Sequence, residues 1–94
     1  MNAVLAPEAV EDLSGCVAYL ATRNSIAANR LVDRVFQMIE QLAEGGIDGI
    51  KQTLKSGEEV RSWPIPPLRI YYRREASRLV VLRIYNLKRS PLTK

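Results

Sequence analysis

The sequence predicts an α+β fold: an N-terminal strand, an antiparallel two-helix hairpin and then a three-stranded antiparallel sheet, in the order β-α-α-β-β-β. Two patterns indicate this class. Up to Gly45, apolar residues recur every three or four positions, which is the period of an amphipathic helix. Beyond Gly57 they alternate every second position, which is typical of strands with one buried face. The length suits one unit, so residues 1–94 are interpreted as a single domain.

The first elements are a short strand and a helix. The β-prone segment NAVL is predicted to join the edge of the sheet. The first helix is expected from about Pro7 to Arg23, because proline suits the first helical turn. Within it, Val10, Leu13 and Val17 share one face at helical spacing.

A second helix is expected after a short break. Ser25 is its predicted N-cap, Ile26 its first residue and Gly45-Gly46 its end, because glycine tolerates the positive φ of a helix C-cap. A break of only a few residues indicates that the two helices form an antiparallel hairpin. The stretch GIDGIKQTLKSGEE, residues 46–59, has no clear period and is interpreted as a loop.

Three strands are predicted in the second half of the chain. The segment EVRSWPI (59–65) stops at a Pro-Pro pair, and LRIYYRR (68–74) stops at the tight connection EAS. The segment RLVVLRIYN (78–86) then runs into a short basic tail.

One face of these strands is predicted to lie under the helices, because side chains alternate between the two faces of a strand. Val35 and Ile39 of the second helix should be fully buried against it, together with Val80 and Leu82 of the last strand. The strand residues assigned to this face are Val60, Ile70, Tyr72, Val80, Leu82 and Ile84.

The other face collects arginines with aromatic residues. Guanidinium groups bind phosphate or carboxylate in two-point geometry, and aromatic faces beside them can stack bases. A plain solvated sheet face, in which arginines deter edge pairing, is the alternative. The residues placed here are Arg61, Trp63, Arg69, Tyr71, Arg73, Arg83 and Tyr85, with Lys88 and Arg89 of the tail at the edge. All of these except Trp63 are the candidate residues for binding a target.

The charge distribution points to an anionic partner. Residues 1–50 carry three basic and seven acidic side chains, whereas residues 51–94 carry eleven basic and three acidic ones. Such asymmetry is typical of a protein that binds a polyanion or an acidic protein.

Several function classes are not indicated. The chain has no histidine, no spacing typical of a metal site and no glycine-rich phosphate loop. We therefore expect no metal, no cofactor and no small-molecule substrate, and no catalytic residue is assigned. Its one cysteine, Cys16, fits a reducing cytoplasm. No apolar run is long enough to cross a membrane and no signal peptide is evident, so we expect a cytoplasmic protein.

The order of the motifs resembles the RelE/ParE superfamily of bacterial type II toxins over essentially the whole chain. The resemblance lies in a helix hairpin followed by VR, RIYYR, VVLRIY and KR. The opening APEAVEDL, the helix NSIAANRLVDRV and the strands EVRSWP…PPLRIYYR are more similar to the ParE branch.

This resemblance implies a RelE/ParE-like fold and a cognate antitoxin whose flexible segment wraps the toxin. It also leaves three activities open. ParE-like proteins inhibit DNA gyrase without catalysis of their own, and RelE-like proteins cut messenger RNA in the ribosome. A degenerate member would only bind its antitoxin.

Two residues carry the comparison with the RelE branch. Arg69 matches its strand arginine, and Arg89 matches the arginine after its last strand. In that branch a tyrosine follows this arginine, whereas no tyrosine follows Arg89 here. In addition, Asn86 stands where ParE-like sequences often have histidine. The departure at the C-terminus favours gyrase over messenger RNA as the target.

Overall fold

The computed structural model describes residues 1–86 and confirms the predicted α+β class. Two helices pack on one side of a five-stranded sheet. The elements are β1 (Asn2–Leu5), α1 (Pro7–Ala21), α2 (Ser25–Glu44), β2 (Ile50–Thr53), β3 (Glu59–Ile65), β4 (Leu68–Arg74) and β5 (Arg78–Asn86).

The strands lie in the order β1-β5-β4-β3-β2. β1 runs parallel to β5 at one edge, as predicted for the N-terminal strand, and the other neighbours are antiparallel. β2 corrects the prediction of a loop over residues 46–59. Its four residues show no apolar alternation, and it becomes a strand by pairing with β3 across a turn that contains Gly57 at a φ of 93°.

The helices begin and end close to the predicted residues, with one corrected cap. Asn24, not Ser25, is the N-cap of α2: its side-chain oxygen accepts a hydrogen bond of 3.0 Å from the Ala27 N–H. Gly45 ends the same helix with a φ of 89°, as predicted. Asn24 has the extended backbone of a cap residue, whereas Ser25 is already helical.

The hydrophobic core lies between the helices and one face of the sheet. Val35 and Ile39 are 0 % and 2 % exposed, as predicted. Ile70, Tyr72 and Ile84 belong to the same core, again as predicted. The remaining members are Ala9, Leu13, Leu31, Leu42, Ile65, Leu68, Leu79 and Val81.

The predicted faces of β3 are reversed. Ile65 lies in the core and Trp63 packs against it, whereas buried Val60 is on the opposite face. Apolar residues occur at both parities of this strand, so alternation alone does not select a face. The choice is made by pairing with β4, because Trp63 lies opposite Ile70 in the core.

The predicted faces are also wrong for the first half of β5. Leu79 and Val81 are in the core, which puts Val80 on the opposite face, where it is buried. Leu82 is only half-buried, so the prediction that it is fully buried is wrong.

A β-bulge explains how β5 returns to the predicted parity. Tyr72 pairs with Val81 but Tyr71 pairs with Arg83, so Leu82 has no partner across the ladder. An extra residue of this kind shifts the alternation by one position. Ile84 therefore reaches the core although it lies three residues after Val81.

Candidate functional site

We call the sheet face opposite the helices the second face. Strand register brings five of the predicted candidates together on it, since Arg69 lies opposite Tyr85 and Tyr71 opposite Arg83. Its central residues are buried, and its arginines are half-buried or exposed. In β3, β4 and β5 the second face carries Val60, Ser62, Pro64, Arg69, Tyr71, Arg73, Val80, Arg83 and Tyr85.

Arg83 is held by a carboxylate from helix α1. Its Nε and Nη2 donate to the two oxygens of Asp12 at 2.7 and 3.0 Å, and the Ile84 N–H donates to the same carboxylate at 3.0 Å. β1 pairs with β5 only as far as Leu5, so α1 places Asp12 at the part of the β5 edge that β1 leaves open. The hydrogen bond from Arg83 to Asp12 raises the pKa of the Arg83 guanidinium.

The arginines at the β4–β5 turn are also paired. Arg73 donates to Glu75 at 3.1 Å and to Glu58 at 2.7 Å, and Arg78 donates to Glu75 at 2.7 Å. The hydrogen bonds to Glu75 and Glu58 raise the pKa of Arg73, and those from Arg78 and Arg73 lower the pKa of Glu75. These groups are exposed, so the pairs contribute little to stability.

Arg61 does not lie on the second face and belongs instead to a cluster around Asp48. It pairs with Tyr72 on the helix-facing side of the sheet, where its Nε lies 3.0 Å from Asp48 and its Nη1 donates to the Gly49 carbonyl at 2.8 Å. Arg74 contributes a second cationic group, with its Nη2 at 3.4 Å from Asp48. We call Asp48, Gly49, Arg61, Tyr72 and Arg74 the Asp48 cluster.

Tyr72 lies at the centre of the Asp48 cluster. Its hydroxyl donates to Asp48 at 2.5 Å and accepts from the Gly49 N–H at 2.6 Å. Burial and the hydrogen bond to Asp48 raise the pKa of Tyr72 to about 12. Burial alone would raise the pKa of Asp48, but the hydrogen bond from Tyr72 and the charges of Arg74 and Arg61 hold it below its usual 3.8.

Gly49 is required in the Asp48 cluster because the backbone of β3 passes so close to it. A Cβ atom at this position would lie 2.1 Å from the Ser62 carbonyl oxygen and 3.0 Å from the Tyr72 hydroxyl. This close approach holds the segment that precedes β2 against strand β3.

Arg69 differs from the other arginines of the strands. Within residues 1–86, Arg61, Arg73, Arg74, Arg78 and Arg83 all form an ion pair with a carboxylate, whereas Arg69 forms none. Its Nη1 donates to the Ser62 hydroxyl at 2.9 Å.

Two tyrosines flank Arg69. Tyr85 lies opposite it in the ladder, and Tyr71 is the next residue of β4 on the same face. Burial raises the pKa of Tyr71, and the charge of Arg69 opposes that rise. We call Arg69, Ser62, Tyr71 and Tyr85 the Arg69 site.

The structure thus separates the predicted candidates. Arg69, Tyr71, Arg73, Arg83 and Tyr85 share the second face, Arg61 lies elsewhere, and Lys88 and Arg89 are outside the described residues. Sequence reasoning missed Asp12, Asp48 and Ser62. Asp12 lies 71 residues before Arg83, so no local sequence pattern connects the two.

Two further features are absent from residues 1–86. They contain no group of three or more His, Cys, Asp or Glu side chains that could hold a metal ion. No helix in the described part of the chain is long and apolar enough to cross a membrane.

Comparison with known proteins identifies the family. The family model of the ParE toxin of the type II toxin–antitoxin system parDE matches residues 3–91. The chain is similar to a solved structure of the chromosomal ParDE TA system from P. aeruginosa, with a TM-score of 0.66 and 15% identity over 92% of this chain and 95% of that chain. No curated protein matches the sequence. The chain belongs to the ParE toxin family, as its resemblance to that branch predicted.

Proposed function

We propose that this member of the ParE toxin family inhibits DNA gyrase in the cytoplasm and is neutralised by a cognate antitoxin. The family match over residues 3–91 carries the proposal. It supports a toxin of a type II system, and membership of the ParE branch favours gyrase over messenger RNA as the target. The whole of residues 1–94 acts as one domain in this proposal.

The second face is the proposed working surface, and the tail residues Lys88 and Arg89 are proposed to act together with it. Arg69 is its central residue, because the other two arginines of this face, Arg73 and Arg83, already bind internal carboxylates. A guanidinium group without a carboxylate partner is the one best able to bind a group of the target. Tyr71 and Tyr85 add rigid contact area around it.

A ribosome-dependent ribonuclease is the second candidate, favoured by the match of Arg69 to the strand arginine of the RelE branch. Three observations weigh against it. The chain has no histidine, and the raised pKa of Tyr71 keeps that hydroxyl protonated near neutral pH, so Tyr71 is a poor general base. RNA binding also depends on several free cations, whereas Arg73 and Arg83 are neutralised within the protein.

Expression without antitoxin, followed by assays of the two targets, tests the proposal. The parent chain should arrest growth, inhibit supercoiling of relaxed plasmid by gyrase and ATP, and leave in vitro translation intact. Arg69→Ala should lose both the growth arrest and the inhibition of supercoiling. The matched control is Arg30→Ala, which removes the same charge from an exposed position of α2 and should remain toxic.

Three outcomes decide between the open functions. Cut messages with unaffected gyrase would establish the ribonuclease. A folded parent chain that affects neither target would leave an antitoxin-binding module. Full toxicity of a folded Arg69→Ala variant would show that the second face does not bind the target.

A further inference from the structure

Among residues 1–86, only one edge of the Arg69 guanidinium group is engaged. Nη1 donates to the Ser62 hydroxyl, and Ser62 is only 1 % exposed, so this contact holds the group against a rigid strand. The Nε–Nη2 edge of Arg69 makes no hydrogen bond to any of residues 1–86. An arginine held in this way loses little side-chain entropy when that edge binds a ligand.

The Nε–Nη2 edge of Arg83 shows which ligand such an edge binds on this face. On the neighbouring strand, Arg83 uses its Nε and Nη2 to bind both oxygens of the Asp12 carboxylate. The two arginines lie on the same face, and each lies beside Tyr85: Arg69 opposite it in the ladder and Arg83 with its guanidinium carbon 5.7 Å from the ring centre. The Arg83 pair is thus an internal example of a two-point carboxylate contact on the second face.

The surroundings of Arg69 favour a protein carboxylate over a nucleic-acid phosphate. Nucleic-acid affinity depends on several cations that each meet a phosphate, but Arg73 and Arg83 on this face are neutralised by Glu58, Glu75 and Asp12. Among residues 1–86, Arg69 is the one arginine of the second face without a carboxylate partner, and it is flanked by two tyrosines. Arginine and tyrosine are both enriched at protein interfaces.

We propose that Arg69 receives the carboxylate of one aspartate or glutamate of the antitoxin, seated between Tyr71 and Tyr85. This inference rests on the proposed function, in which the antitoxin neutralises the toxin. The family description names a toxin–antitoxin system, so the antitoxin is the partner to which the site is assigned. Neutralisation then works by occupying the same arginine that the toxin uses on its target.

The test is a titration of the full chain with the antitoxin encoded beside it, measured as a dissociation constant. Arg69→Ala should weaken binding about 10- to 100-fold, the effect of losing a charge-assisted two-point contact. Arg69→Lys should recover only part of that loss, because an ammonium group lacks the planar two-point edge. Arg30→Ala is the matched control and should bind as tightly as the parent chain.

A second arm identifies the carboxylate. Each Asp and Glu of the antitoxin is changed singly to Asn or Gln and titrated against the parent and the Arg69→Ala chain. One of these changes should weaken binding to the parent chain and have little effect on binding to Arg69→Ala, because the contact is already lost. Equal effects of every antitoxin change on both chains would overturn the inference. Thermal unfolding checks that each variant is folded, and Arg69→Gln replaces Arg69→Ala if the latter is not.

The outcomes separate this inference from the proposed function. If Arg69→Ala abolishes toxicity and gyrase inhibition but binds the antitoxin normally, the inference fails and the proposed function stands. If it weakens antitoxin binding but remains fully toxic, the carboxylate site stands and the shared use of Arg69 fails. A single-stranded RNA 20-mer is the competing probe. Displacement of the antitoxin by this RNA, dependent on Arg69, would assign the site to nucleic acid instead.

Discussion

Two arginine-bearing regions lie on the two faces of strand β4, and they differ in what their guanidinium groups bind. In the Asp48 cluster, Arg61 and Arg74 share one carboxylate and also donate to two backbone carbonyl groups. In the Arg69 site, Arg69 donates only to a serine hydroxyl among residues 1–86. Arg61 and Arg69 are both half-buried, so exposure does not distinguish them. The two arginines differ in how many of their hydrogen-bond donors are engaged. Among residues 1–86, Arg69 is the one whose Nε and Nη2 are left for a partner.

The largest effect is expected in the Asp48 cluster at Gly49. Gly49→Ala should lower the free energy of unfolding by about 3 kcal/mol or more, because the new Cβ would collide with the Ser62 carbonyl of a central strand. Chemical denaturation measures the loss. Gly15→Ala in α1 is the control: nothing lies within 4 Å of its Cβ, so it should stabilise the helix by about 1 kcal/mol. An unchanged stability of Gly49→Ala would show that β2 does not approach β3 in this way.

The next largest effect is expected at Asp12, whose carboxylate neutralises Arg83. Asp12→Asn should cost about 1–3 kcal/mol, because Arg83 and the Ile84 N–H lose a charged acceptor that is only 15 % exposed. The same change should give the second face a second arginine without a carboxylate. We therefore expect the variant to bind a single-stranded oligonucleotide more tightly than the parent chain at low salt, measured by fluorescence anisotropy. Arg83→Ala in the Asp12→Asn background should remove that gain.

Tyr72 makes the stability of the Asp48 cluster depend on pH in the alkaline range. Its raised folded-state pKa means that its contribution to stability is fully present below pH 10 and is lost as the pH rises towards about 12. The free energy of unfolding of the parent chain should therefore fall between pH 10 and 12. Tyr72→Phe should cost about 1–2 kcal/mol at neutral pH and reduce that alkaline fall. A fall of equal size in Tyr72→Phe would assign the alkaline transition to other groups, such as Tyr71.

The smallest effect on stability is expected at Arg69 itself. Arg69→Ala should lower the free energy of unfolding by about 1 kcal/mol, because among residues 1–86 it breaks one hydrogen bond to the buried Ser62 hydroxyl and no ion pair. Measured beside Arg61→Ala, which removes contacts to Asp48 and Gly49, it should be clearly the milder change. A loss at Arg69 as large as at Arg61 would mean that Arg69 is structural and would remove the contrast between the two regions.

Part of the candidate site could be predicted from sequence because it depends on one strand alone. Arg69, Tyr71 and Arg73 alternate with the core residues Ile70 and Tyr72, and the structure keeps that alternation along β4. Arg61 could not be placed in the same way, since β3 offers apolar residues at both parities. Its face follows from the register with β4, which no local pattern contains.

The sequence by itself determined the helix hairpin, the edge position of β1, the strands β3 to β5 and the ParE family, since periods and motif order are local properties of a chain. Tertiary structure decided which arginines of the strands form ion pairs with carboxylates. β5 carries a bulge at Leu82 that alternation cannot foresee. The carboxylates that neutralise Arg83 and Arg61 come from Asp12 and Asp48, which precede the strands they reach. An ion pair depends on distance in space, so only the folded chain shows that Arg69 pairs with neither of them.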